Sequence, residues 1–246
     1  EYQRFSPDSV NGSDSTAANA ARSALAMPSP GGKKIDVSIN VLYNPDLRTE
    51  TFVIPGLIGV ILQLVTLALT SFSLVKEREQ GTLEQLAVSP LKPHELIIGK
   101  LLPYAVLAML EVLTVLAAGW LLFDVTVKGS LLLLLAVSIP FVMAALSLGL
   151  LISTVAKNQG QALMMTLMVM LPSILMSGFV FSRDEMPGPL WVISEAFPVT
   201  HYLQIIRGIA VRGADFPDVG HPTFMLILIT SILLWLAATR FRKTLE

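Results

Sequence analysis

Hydrophobic residues are not spread evenly along this chain of 246 residues. They gather into five runs, about 52–75, 101–123, 130–155, 161–181 and 222–239, separated by shorter polar segments. Crossing ~30 Å of hydrocarbon takes roughly 20 helical residues. In lipid a spanning backbone must also satisfy its own hydrogen bonds. The runs therefore predict an all-α membrane protein, a polytopic bundle with five spanning helices. Pro55, Pro103 and Pro222 stand near the starts of runs, where a helix tolerates a missing N–H. Pro140 and Pro172 stand inside runs and are expected to kink them.

The polar segments are not alike. Residues 1–50 are rich in Ser, Asn, Ala, Pro and Gly. An Ala-rich stretch, 11–27, predicts a short helix. Ile35, Val37, Ile39 and Val41 alternate with polar or small residues, which predicts a strand. Together they make a small external α/β segment, at the lower edge of what folds alone. Residues 182–221 are also long for a loop, yet Leu190–Val192 and Tyr202–Ile206 are apolar. Short amphipathic helices lying on the membrane face, or dipping into it, are expected there. Trp191, Phe197 and Tyr202 suit an interface. A small packed cap is the other reading.

Composition agrees with a membrane protein. The chain is 53% hydrophobic and only 14% charged, against roughly 25% charged in soluble domains. Mean hydropathy is +0.68. A net charge of -1, with no basic patch outside the loops, argues against nucleic acid as a partner. Cysteine is absent, which removes disulfides, Cys-ligated metal and thiol catalysis. There is no G-x-x-x-x-G-K-[ST] and no G-x-S-x-G, and His94, His201 and His221 show no metal spacing.

Orientation follows from Lys and Arg in the short loops. Lys76, Arg78, Lys92, Lys100, Lys157, Arg240, Arg242 and Lys243 fall on one side, and Lys128, Arg183, Arg207 and Arg212 on the other. The first side is predicted to be cytoplasmic, with the C-terminus inside and residues 1–50 outside. A polar N-terminal stretch outside predicts a sixth spanning helix upstream, so the chain is expected to be a fragment or processed form.

The segment 76–100, KEREQGTLEQLAVSPLKPHELIIGK, is charged and punctuated by Gly and Pro. Leu83, Leu86 and Ala87 lie at i, i+3 and i+4, one apolar helical stripe. Glu77, Arg78, Glu79, Glu84 and Gln85 surround it. Gly81 and Thr82 break or cap the preceding helix, and Pro90 and Pro93 close the short one. A rigid docking knob with a charged rim fits this pattern, and so does a solvated loop.

Several motifs now fall in order. Glu77–Leu86 with Ser89-Pro90-Leu91, Tyr43-Asn44-Pro45 with Pro55-Gly56, Ser177–Phe181, Met186-Pro187, Phe197-Pro198 and Arg207-Gly208-Ile209 resemble those of the membrane permeases of type-2 ATP-binding-cassette exporters. The resemblance covers roughly residues 40–246. It implies a transmembrane domain over 51–246, and a dimer with a second copy or a related permease. It also implies a separate ATPase subunit that carries ATP and Mg, none being bound by this chain. The protein would lie in the cytoplasmic (inner) membrane, in contact with lipid, and export an amphipathic or apolar compound. The knob would be the coupling helix, with Glu77, Arg78, Glu79, Gly81, Thr82, Leu83, Glu84 and Leu86 meeting the ATPase.

Four residues are candidates for a translocation path. Glu111 sits mid-run, where a carboxylate is costly and usually faces a bundle interior or a wet cavity. Gln63 lies at similar depth, which allows a carboxylate–amide hydrogen bond between them. Glu111 is either interhelical glue, the favoured reading, or part of the path. Met168 and Pro172 stand in a methionine-rich run that suits a promiscuous apolar surface, or lipid. Two other classes remain: an intramembrane enzyme using Glu111 as acid or base, and a structural membrane subunit without a substrate.

Overall fold

In the computed structural model, residues 49–81, 93–123, 127–181, 183 and 186–245 are described. They form seven helices: α1 (Thr49–Glu79), α2 (Pro93–Phe123), α3 (Leu131–Val155), α4 (Gln159–Met176), α5 (Gly188–Ser194), α6 (Pro198–Arg212) and α7 (Phe216–Leu245). No strand occurs among the described residues. Five helices, α1 to α4 and α7, are long and apolar enough to cross a membrane. The protein is an all-α polytopic membrane protein. The expected external α/β segment lies outside the described residues.

Helix ends are set by local chemistry. Ser130 caps α3, its hydroxyl accepting from Leu133 N at 3.3 Å. Asn158 caps α4, its side-chain oxygen accepting from Gln161 N at 2.8 Å. The fourth apolar run stops short of its predicted end at 181. Gly178 takes a left-handed φ of 84°, and the Ser177 hydroxyl accepts from Phe179 N, so the helix closes at Met176 although the sequence stays apolar. At the other ends, α1, α2 and α7 begin before their apolar runs do. Pro55, Pro103 and Pro222 consequently lie inside α1, α2 and α7 rather than at their first turns.

α3 is the hub. It packs on α1, α2, α6 and α7, and α1 packs in turn on α2, α4 and α6. Lipid is as apolar as leucine, so close packing of small residues, more than water exclusion, holds spanning helices together. Gly149 shows this: a Cβ there would lie 2.8 Å from Thr70 Cβ and 3.1 Å from Leu67 O. Gly59 likewise lets α1 meet Tyr202 and Leu203 of α6.

α6 departs from the expectation of a helix on the membrane face. Val199, Tyr202, Leu203, Ile205, Ile206 and Ile209 are all buried. Tyr202, expected at the interface, is 1% exposed, because α6 is wedged between α1, α3 and α7. α5 keeps the expected character, with Leu190, Trp191, Val192 and Ile193 exposed.

Candidate coupling site and buried polar groups

The candidate site begins at the last turn of α1. Gln80 N donates to Lys76 O at 3.0 Å, Gly81 N donates to Arg78 O at 3.1 Å, and Gly81 adopts a φ of 70°. A residue without a Cβ ends the helix there. Residues two apart on a helix point in nearly opposite directions, and Glu77 and Glu79 use this. Glu77 forms an ion pair with Lys100 of α2. Glu79 accepts from Gln159 N at 3.0 Å and from Gln159 Nε2 at 2.6 Å, at the start of α4. The same end carries a Tyr104–Ser73 hydrogen bond between α2 and α1. A buried Ser71–Thr166 contact of 3.3 Å joins α1 and α4. The root of the loop is thus tied to two neighbouring helices. Arg78 is partly buried and Gly81 partly exposed. Thr82, Leu83, Glu84 and Leu86, with the expected docking helix, lie outside the described residues.

The path candidates do not meet. Gln63 is 2% exposed, and neither amide atom makes a hydrogen bond. The expected pairing with Glu111 is therefore not formed. Gln63 shares its stripe of α1 with Gly59, which faces α6, and Thr70, which faces α3, so it points into the bundle. Glu111 is partly buried on α2, between buried Ala108 and Val112 and exposed Leu107, Leu110 and Leu113. Met168, 75% exposed, and Pro172, also exposed, lie with Met164, Leu171 and Leu175 on the outward face of α4.

At the opposite end of the helices the conspicuous sequence motifs converge. Arg207 Nη1 donates to Gly178 O at 2.8 Å. Phe179 covers Gly56 so closely that a Cβ there would fall 2.6 Å from its ring. Arg183 pairs with Glu195 and sits 5.2 Å from the Trp191 ring centre. His201 Nε2 donates to Glu195 O at 3.0 Å. Lys128 N and Gly129 N donate to Ala210 O and Ile209 O at 3.1 and 3.0 Å, fastening the start of α3 to α6. Among the described residues no group of three His, Asp or Glu is placed to hold a metal.

Sequence reasoning missed Gln159 and Gly149, and for α6 it set a membrane-face helix ahead of the packed alternative that the structure shows. The polar turn 157–161 signalled a helix start, but nothing in it pointed to residue 79.

Comparison with known proteins decides the family. The model for "ABC-2 family transporter protein" matches residues 9–239. The chain belongs to the ABC-2 transporter family. Within the family it is 34% identical over 201 residues to the probable multidrug ABC transporter permease YbhR of Escherichia coli, covering 82% of this chain and 55% of that protein. It is 30% identical over 221 residues to the inner membrane transport permease YhhJ of Escherichia coli, covering 86% and 57%. It is 24% identical over 200 residues to ABC transporter G family member 20 of Dictyostelium discoideum, covering 81% and 27%. This ABC-2 chain thus spans little more than half the length of its bacterial relatives.

Proposed function

We propose that this ABC-2 chain is the transmembrane permease part of an ATP-driven exporter, moving an amphipathic or apolar compound across the cytoplasmic membrane. The observation that carries the reading is the charged last turn of α1, which is held by α2 and α4 where the 82–92 segment leaves. A loop meant to transmit force needs such a rooted base. The relatives' names, a probable multidrug permease among them, support the transport class and the cargo chemistry.

In this reading the loop 76–93 docks on a separate ATPase, which binds ATP and Mg. The Lys- and Arg-rich end faces the cytoplasm, and residues 1–50 lie outside. The chain pairs with a second copy or a related permease. The exposed stripe of α4 with Met168 and Pro172 lines the path between them, its flexible thioethers fitting varied apolar cargo. Glu111, partly buried on α2, and Gln63, buried in α1, belong to helix packing rather than to the cargo path.

The test is affinity purification from membranes in mild detergent. An ATP-binding-cassette ATPase should accompany the permease. A folded permease recovered reproducibly without one would sink the proposal.

A further inference from the structure

We infer that Glu79 is a positioning residue, a strut that delivers movement of the 82–92 segment to α4 as well as to the two helices the segment joins. This rests on the docking role proposed above and adds a third helix to the moving unit.

The chain path alone would couple the loop only to α1 and α2, whose ends it connects. The structure adds a contact that connectivity does not supply. Glu79 lies 80 residues from Gln159 in sequence, yet both of its carboxylate oxygens are engaged there. One accepts from the main-chain N–H of Gln159 at 3.0 Å and the other from its side-chain Nε2 at 2.6 Å. The first bond matters most. It grips the backbone of α4's opening residue, where helix N–H groups lack intrahelical partners and an anion is favoured by the helix dipole. A push on Glu79 therefore reaches the α4 backbone directly instead of swinging a side chain.

The neighbouring contacts make this a lever rather than an isolated bond. Glu77, turned the other way, holds Lys100 of α2. Two turns back along α1 from Glu79, Ser71 meets Thr166 of α4, and Leu67 and Val75 pack with Ala162 and Ala156 in one buried cluster. α4 is thus held at its tip by Glu79 and lower down by packing. A helix gripped at its end and supported along one side tilts when the end is displaced. The face it would turn is the exposed one bearing Met168 and Pro172.

The experiment uses the purified permease–ATPase complex in lipid nanodiscs. The cysteine-free chain allows spin labels at chosen pairs: Met164→Cys on α4 with Ser231→Cys on α7, and Leu107→Cys on α2 with Ser231→Cys. Distances are measured by pulsed electron resonance without nucleotide and after trapping with ATP and vanadate. With Glu79 intact, both distances should shift. In complexes that hold the ATPase, Glu79→Ala should abolish the α4 shift and keep the α2 shift. Glu79→Gln still offers an oxygen to Gln159 N and should keep most of the α4 shift, which separates the bond from mere side-chain volume. If Glu79→Ala does not assemble, Gln159→Pro takes its place. Proline is tolerated at the first helical position and removes both the main-chain and the side-chain donor to Glu79, so it should abolish the α4 shift alone. An α4 shift unchanged in either of these variants overturns the strut, as does equal loss of both shifts with the ATPase still bound. A wild-type α4 that does not respond to nucleotide overturns it too. Absence of any ATPase from the wild-type preparation defeats the docking reading itself, and the strut with it.

Discussion

Tyr202 lies flat against Phe141, ring centres 4.1 Å apart and planes 4° from parallel. Its hydroxyl is 2.8 Å from Ser138 Oγ. Ser138 gives its own proton to Leu134 O, so Tyr202 is the donor between them. This contact fastens α6 to α3. Tyr202→Phe should keep the stack, lose the hydrogen bond and cost about 1 kcal/mol. Tyr202→Ala should cost about 3–5 kcal/mol by opening a cavity. Thermal unfolding in detergent, followed by circular dichroism, checks both.

The same tyrosine predicts an alkaline limit. Burial pushes its pKa up to about 12. An unfolded tyrosine ionises near pH ~10. Between these values the unfolded chain sheds a proton that the folded chain keeps, so stability falls as pH rises. Tyr202→Phe should flatten that part of the stability curve, which a pH series of unfolding temperatures will show.

Gly149 and Gly99 make a matched pair. Gly149→Ala must displace Thr70 or the α1 backbone and should destabilise by about 1–3 kcal/mol. Gly99→Ala meets nothing within 4 Å and should stabilise α2 by about 0.5–1 kcal/mol. Opposite shifts in unfolding temperature are the expected outcome.

Docking is tested on the loop's apolar stripe. Leu83→Asp or Leu86→Asp places an unpaired charge in an apolar contact, an error worth several times a lost rim charge. The ATPase should no longer co-purify. Full retention by a folded variant would remove the loop as the docking element.

Glu111→Gln separates glue from path. An amide still hydrogen-bonds and is cheaper to bury than a carboxylate. Assembly and cargo-stimulated ATP hydrolysis should both persist. Loss of hydrolysis in an intact complex would assign Glu111 to transport.

Topology has a direct probe. Gln80, exposed at the end of α1, is predicted to face the cytoplasm. A single cysteine there should resist an impermeant thiol reagent in intact cells and react in inside-out vesicles.

The sequence by itself determined the class of this protein. Length and hydropathy alone select spanning helices, because lipid offers a backbone no other partner, and α1, α2, α3, α4 and α7 stand where the apolar runs predicted. Gly81 as a helix stop was equally legible, since its chemistry is local. Contacts between distant segments were not. Tyr202 reads as an interface residue until α6 is seen between α1, α3 and α7, for an apolar stripe suits lipid and protein neighbours alike. Gln63 and Glu111 share a depth, but depth does not specify the side of the helix each side chain faces. Glu79 reads as a rim charge in a loop, and only the packing of α4 beside α1 brings Gln159 to it. Tertiary structure decided these points because hydropathy records how much a residue avoids water, not which surface shields it.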